Sequence, residues 1–402
     1  MRSSLQMLNK DMPLNVVSRL FWLSSFFLAS ACSQTGQATT PPIGGEGSTT
    51  VKATAHQPSA MSHNATSLTV STQQTAPGKE TEEKNAAGFA RYAAGLAAEA
   101  TARGYSAALI DEVMSSLTFY PRVVQSDKKQ PEFTETLDTY LPKRVSAQRI
   151  KLAKAAYRQY KADIDKVAAD SGVPARFIVA LWSLESALGR LTGNFDVPSA
   201  LATLAYEGRR EAFFRQEFFY AMDILAQQHI TRDAMKGSWA GAMGQTQFMP
   251  SAFLKYAADG DGDQHKDIWR NKTDAWASIA SYLKTEGWTK GQSWGRQVKL
   301  PNDFDYTLVI PKGSKDRAQW LQWWAKSERS IAQWRALGLT NADGSPLPPS
   351  QMKAALVMPD DQHGRAYLAY ANYQVLMHWN RSYYFVTSVG TLADELKTLD
   401  TN

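Results

Sequence analysis

Glu185 is the side chain with the clearest chemistry to offer. It stands in residues 177–190, FIVALWSLESALGR, an apolar stretch with the period of a helix. Its neighbours at helical offsets are Ile178, Leu181, Trp182 and Leu188. Apolar walls destabilise an ionised carboxylate, so its pKa is expected above the usual value of about 4.3. A carboxylic acid kept protonated near neutral pH can donate that proton to a leaving group. The spacing equally allows a structural glutamate at the helix rim, paired with Arg190 or another cation.

Two further segments carry chemistry. Residues 236–250, KGSWAGAMGQTQFMP, place glycines and alanines where backbone and ligand can approach closely. Ser238, Gln245, Thr246 and Gln247 supply neutral donors and acceptors for hydroxyl and amide groups, and Trp239 and Phe248 supply stacking faces. The segment is neither a phosphate-binding loop nor a nucleophile elbow. Tight helix packing through small residues is the alternative reading. Residues 259–267, DGDGDQHKD, put Asp259, Asp261, Asp263 and Asp267 at alternate positions of an EF-hand-type loop, with His265 offering its backbone carbonyl. Hard oxygen ligands in that pattern suit a structural Ca2+. Gln264 replaces the usual glycine and Arg270 the usual glutamate, while Asp274 is available from the following helix. A solvated Asp/Gly turn is the alternative.

Composition narrows the function class. The formal charge is +6, from 44 basic and 38 acidic residues. That excess suits an anionic polymer or a membrane surface, and no basic run interleaved with aromatics points to nucleic acid. The 12 tryptophans fit either core packing or flat faces for sugar rings. Six histidines form no His-Glu-x-x-His pattern, which argues against a zinc hydrolase. Cys32 is the single cysteine, so an internal disulfide is excluded. It follows Arg19, an apolar run too short to span a bilayer, and small residues, which together read as a secretory leader.

The elements that must hold these residues are mainly helical. Residues 32–84 are rich in Ser, Thr, Gln, Gly and Pro and read as a flexible tether after a leader over 1–31. From residue 85 onward the apolar period is that of helices, with one over 149–169, one carrying Glu185 and ending near Gly189, and others over 210–228, 273–286 and 386–397. Residues 298–300 and 306–310 read as short strands. The predicted class is mainly α, of the α+β type.

In this order, the three segments resemble the membrane-bound lytic murein transglycosylase B family of bacterial cell-wall enzymes, glycoside hydrolase family 103. The resemblance runs from about residue 130 to 396. It includes QPEF at 130–133, residues 182–189, GAMGQTQFMP at 241–250, the Asp-rich loop, and WNRS at 379–382 with Tyr384. Ser183-Leu184 and Trp379 depart from the commoner residues at those positions. The resemblance implies a lysozyme-like helical core at about 145–295, with 296–402 contributing to the cleft of a catalytic domain over 85–402. It implies Glu185 as the single catalytic acid, Ser238, Gln247, Phe248, Asn380 and Tyr384 as substrate-binding, and peptidoglycan glycan strands as the partner. It implies cleavage of the β-1,4 bond after N-acetylmuramic acid with formation of 1,6-anhydromuramoyl ends, and no cofactor for catalysis. The run LASAC at 28–32 resembles a lipobox, which implies lipidation of Cys32 and, with Ser33 next, a periplasmic monomer anchored in the outer membrane. A hydrolytic muramidase using Asp196, Glu207 or Glu211 as second carboxylate is one alternative. A catalytically silent wall-binding lipoprotein is another.

Overall fold

The helix that carries Glu185, Ala175–Ser186, is enclosed on all sides: every residue but Arg176 is buried. Gly172, at φ 77°, ends the preceding helix Lys161–Ser171, and Pro174 caps the new one with an extended backbone. Four helices pack around it: Ala147–Gln159, Lys161–Ser171, Lys272–Thr285 and Tyr383–Glu395. An element with no solvent-facing side is expected to be apolar on every face, and this one is apart from Arg176, Ser183, Glu185 and Ser186. The computed structural model describes residues 85–128, 135–311 and 316–400. Cys32, the leader and the tether expected at 1–84 lie outside the described residues. Among the described residues no single helix is long and apolar enough to cross a membrane.

The strands are short and form two sheets. Strands β1 (Phe195–Asp196) and β2 (Lys236–Gly237) pair antiparallel. The larger sheet contains β3 (Gly295–Lys299), β4 (Val309–Ile310), β5 (Arg329–Ser330), β6 (Thr340–Asn341), β7 (Lys353–Val357) and β8 (Ala366–Ala369). Its order is β4-β7-β8-β3-β6, with β5 on β7; the β4–β7 pair is parallel and the rest antiparallel. Its second cluster of buried side chains, including Val298, Phe304, Trp334, Leu356 and Leu368, is separate from the helical core. The chain then returns to that core through Ala371–Trp379 and Tyr383–Glu395.

The mainly helical class with minor β structure is as expected, but several bounds move. The helix read over 149–169 is two helices, Ala147–Gln159 and Lys161–Ser171, broken at Tyr160 (φ −113°, ψ 25°). The break lets the Tyr160 ring pack 5.3 Å from Trp276 and 6.3 Å from Trp182. Asn271, rather than Thr273 or Asp274, caps Lys272–Thr285, accepting from both their amides. Tyr306–Leu308 is a 3-10 turn, and only Val309–Ile310 pairs as strand.

Candidate active site

Glu185 sits one residue before the end of its helix, and the chain past it is strained. Ala187 (φ 50°), Leu188 (φ 64°) and Gly189 (φ 80°) are all left-handed. Such runs of non-glycine residues are costly and collect at functional sites. The Ser186 hydroxyl stabilises the bend, donating to the Trp182 carbonyl at 3.2 Å and accepting from the Gly189 amide at 3.0 Å. Gly189 is required twice over: its φ is positive, and a side chain there would collide with Gln245.

Glu185 is buried, 5% exposed as a residue. The Trp379 indole donates to its Oε1 at 2.6 Å. Burial pushes its pKa up to about 7, against smaller downward pulls from the Trp379 hydrogen bond and the charge of Arg144. The acid is therefore protonated at the acidic end of the neutral range, which a proton donor needs. Arg190 is not its partner; that guanidinium is exposed and its Nε donates to the Ala187 carbonyl at 3.0 Å. Trp379 is itself buried, packed 4.7 Å from Tyr282 and 5.3 Å from Phe248. Asn380 follows it, buried and extended, at the end of Ala371–Trp379.

The loop over 236–250 is tied to the Glu185 helix. Gln245 Oε1 accepts from the Trp182 indole at 3.0 Å, and Gln247 Nε2 donates to the Thr192 and Gly244 carbonyls at 3.1 and 2.9 Å. Gln247 is left-handed (φ 53°), and with both side-chain amide hydrogens on backbone carbonyls its Oε1 is what it offers a ligand. Ser238, partly exposed, accepts from the amides of Ala240 and Ala242 at 3.3 and 3.0 Å and keeps its hydroxyl hydrogen to donate. Phe248 corrects the expectation: it is fully buried between Trp379, Tyr282 and Tyr256, and so shapes the wall behind Glu185 instead of stacking on a ligand. Trp239, also read as a stacking face, is buried. Tyr384 is buried too, and its hydroxyl donates to the Glu135 carbonyl at 2.9 Å and to Asp360 Oδ1, so it braces the chain before Leu137–Arg144.

Each of the three carboxylates considered as a second catalytic group accepts at least one described hydrogen bond. Asp196 accepts from both Arg232 amino groups and caps the next helix through the Ser199 amide at 2.9 Å. Burial works to raise its pKa, but these bonds outweigh it and hold it below the usual range. Glu207 accepts from the Arg209 amide at 3.0 Å, and Glu211 from the Tyr92 hydroxyl at 3.1 Å. A cavity of about 430 Å³ lies beyond the Trp379–Tyr282 pair, lined by Lys255, Tyr282, Arg317, Trp320 and His378 among others, and Glu185 is not on its wall.

The Asp-rich loop gathers three of its expected ligands. Carboxylate oxygens of Asp259, Asp261 and Asp263 lie within 4.8 Å of one another. Asp267 does not join them; its Oδ1 accepts from the Trp269 and Arg270 amides, both at 2.9 Å. The His265 amide donates to Asp263 Oδ1 at 2.8 Å. Asp274 is buried and bridges the loop ends, accepting from Gly260 and Asp267 amides at 2.8 and 2.7 Å. Gln264 adopts the left-handed turn (φ 71°) that a glycine would make more cheaply.

Sequence reasoning missed Trp379 as a contact of Glu185. The signal was present, since the tryptophan stands beside Asn380, but no local pattern says which way an indole points. A family model described as the transglycosylase SLT domain matches residues 88–394. The chain is 30% identical over 260 residues to membrane-bound lytic murein transglycosylase B of Escherichia coli (strain K12); the match covers 63% of this chain and 65% of that protein, under two thirds of its length. The crystal structure of SltB3 from Pseudomonas aeruginosa in complex with NAG-anhNAM-pentapeptide is 36% identical, with a TM-score of 0.70 over 77% of this chain and 79% of that one. That of the Escherichia coli lytic transglycosylase Slt35 in complex with calcium is 26% identical, with a TM-score of 0.63 over 77% and 94%. The chain belongs to the transglycosylase SLT domain family.

Proposed function

We propose that the protein is a peptidoglycan lytic transglycosylase with Glu185 as its only acid–base group. The observation that carries this reading is a buried carboxyl at a strained helix end with one described donor, the Trp379 indole; burial pushes its pKa up in keeping with that role. Glu185 protonates the glycosidic oxygen between N-acetylmuramic acid and N-acetylglucosamine, and the C1–O bond breaks. The carboxylate then takes the proton of the sugar's own C6 hydroxyl as that oxygen bonds to C1. The product is a 1,6-anhydromuramoyl end, and Glu185 is protonated again. Attack within one molecule has an entropic advantage over capture of free water, provided the site excludes water. An ordinary glycosidase needs a second carboxylate across the bond; of the three candidates, Asp196 is held by Arg232 and the Ser199 amide, while Glu207 and Glu211 each accept one described bond. The SltB3 structure with an anhydro-sugar fragment supports the same product.

Ser238, Gln247 and Asn380 are assigned to orienting the sugar amide and hydroxyl groups. The chain is assigned to the periplasm, held at the outer membrane through a lipid on Cys32. Asp259, Asp261 and Asp263 fit a Ca2+ that steadies their loop, as calcium is bound in the Slt35 structure. Chelation should then lower the melting temperature by a few degrees and added calcium restore it; no change in either direction removes the claim. The reaction class is tested by mass analysis of muropeptides released from purified sacculi. The lyase product lacks one water relative to the hydrolysed end, and a hydrolysed end alone rejects the proposal.

A further inference from the structure

The cavity beyond the Trp379–Tyr282 pair carries charges that the proposed chemistry does not use. It holds about 430 Å³, within the size range of small-ligand sites. Its cations come from separate elements. Lys255 stands on Pro250–Tyr256, Arg317 opens Arg317–Ser327, and Arg381 follows Ala371–Trp379. Glu286, just past Lys272–Thr285, is the one acidic residue on the wall. Tyr220, Tyr256, Tyr282 and Trp320 add flat apolar faces.

Glu286 is spent on its neighbours. It accepts from the Tyr256 hydroxyl, with Lys255 Nζ at 3.1 Å from Oε1 and His378 Nδ1 at 2.8 Å from Oε2. Arg317 has no such match. Its Nη2 donates to His378 Nε2 at 2.9 Å. A guanidinium only donates, so that ring nitrogen is the acceptor and the ring hydrogen is on Nδ1, facing Glu286. The described bond of Arg317 therefore ends on a neutral ring, which leaves its charge unbalanced. Asp316, beside it in sequence, caps the helix through the Ala318 amide at 3.0 Å. Even with Asp316 counted, Lys255, Arg317 and Arg381 outnumber the carboxylates. A concave wall with surplus positive charge draws in anions.

We propose that this cavity is a subsite for an acidic peptide, the carboxylate-bearing peptide that peptidoglycan carries on N-acetylmuramic acid, with Arg317 as the partner of a peptide carboxylate. This rests on peptidoglycan being the substrate. N-acetyl sugars are neutral and gain nothing from surplus cations, whereas a carboxylate matches a guanidinium with two parallel hydrogen bonds. The aromatic walls suit the aliphatic parts of a peptide. The position suits it too. Tyr282 is the shared partition: its hydroxyl donates to the His378 carbonyl at 2.8 Å, and its ring packs 4.7 Å from Trp379, which holds Glu185. Five extended residues reach about 17 Å, enough to pass that one aromatic layer from a sugar seated at Glu185.

The test is calorimetric binding, to the full chain, of NAG-NAM-pentapeptide and of the same fragment with its peptide carboxylates amidated. The fragment ends at N-acetylmuramic acid, so the bond to be cleaved is absent and binding alone is read. Wild type should prefer the acidic form by about tenfold, and the preference should shrink as salt is added. Arg317→Gln keeps a donor for His378 and removes the charge. It should bind both fragments alike, at the level of the amidated one, with thermal melting showing that it is folded. Equal binding of the two fragments by wild type, or binding of neither, overturns the proposal without any variant. So does a folded Arg317→Gln that keeps the preference. Failure of the underlying reading looks different: wild type would then release no muropeptides from purified sacculi, whereas anhydro ends released without any peptide preference would reject the subsite alone.

Discussion

Glu185 and Glu217 are both buried glutamates, and burial pushes both carboxyls up to about 7. Their surroundings divide them. Glu217, on the helix Glu211–Ala226, accepts from the Ser251 amide at 2.9 Å on one oxygen and from the Ser251 hydroxyl at 2.6 Å on the other. Both oxygens are thus fixed at the start of the helix Pro250–Tyr256, whose orphan amides need acceptors. Glu185 has one described donor, the Trp379 indole, and a strained bend after it. Burial sets how tightly a carboxyl holds its proton. The number of fixed partners decides whether it is free to hand that proton on. A raised pKa alone would have pointed to Glu217 as readily as to Glu185, and of the two only Glu185 has a single described donor.

The comparison is broken most directly by removing each acid. Glu185→Gln keeps the shape and removes the proton, so release of muropeptides should fall by about a thousandfold or more, within the usual worth of a general acid and base. Its melting temperature should hold or rise. Glu217→Gln should keep turnover within about threefold at a temperature where it is folded. Loss of turnover in both variants, with both folded, would mean that partner count does not separate their roles. Truncation reverses the order of effects. Glu217→Ala strands the Ser251 amide and hydroxyl and should cost about 3 kcal/mol, read from the denaturant midpoint.

Proton linkage sharpens the same contrast. Each folded pKa is raised from 4.5 to about 7. Below about 4.5 folded and unfolded chains both hold the proton, and stability is at its full value. Between there and about 7 the unfolded chain releases it while the folded chain keeps it, so stability declines as pH rises and levels off above. Each group contributes at most about 3 kcal/mol to that decline. Either glutamine substitution should flatten the pH dependence of the melting temperature by a similar amount, while only Glu185→Gln silences turnover. A slope unchanged in Glu217→Gln would show that Glu217 titrates in the folded chain as it does in the unfolded one.

The local half of the Glu185 site was legible in the sequence, and the distant half was not. An apolar helix interrupted by one carboxylate, and a glycine-rich loop with amides, are patterns of neighbours. The groups that tune Glu185 come from elsewhere: Trp379 is 194 positions away, and Arg144 comes from a helix with no marked pattern. Phe248 and Trp239 show the opposite error, since residue type suggested stacking faces and packing enclosed both. Strands β7 and β8 went unread for a physical reason. Their residues after Lys353 are buried on both faces, so no alternation survives, and their alanines have little strand preference. Glu217 gave no sign because its partner, Ser251, lies in another helix.

The finest test exchanges single donors. Trp379→Phe removes the indole N–H and leaves a ring to pack on Phe248 and Tyr282. A lost donor disfavours the carboxylate, so the high-pH limb of turnover should move up by about one unit. Turnover should drop by about tenfold with little loss of stability. The matching change at the other acid is Ser251→Ala, which removes the hydroxyl and keeps the amide donor. It should lower stability by about 1 kcal/mol and leave the rate profile where it was. If Trp379→Phe leaves the limb in place, the single indole bond is not what tunes Glu185. The difference between the two glutamates would then have to lie in the strained bend at Ala187 and Leu188, which glycine substitutions there would relax.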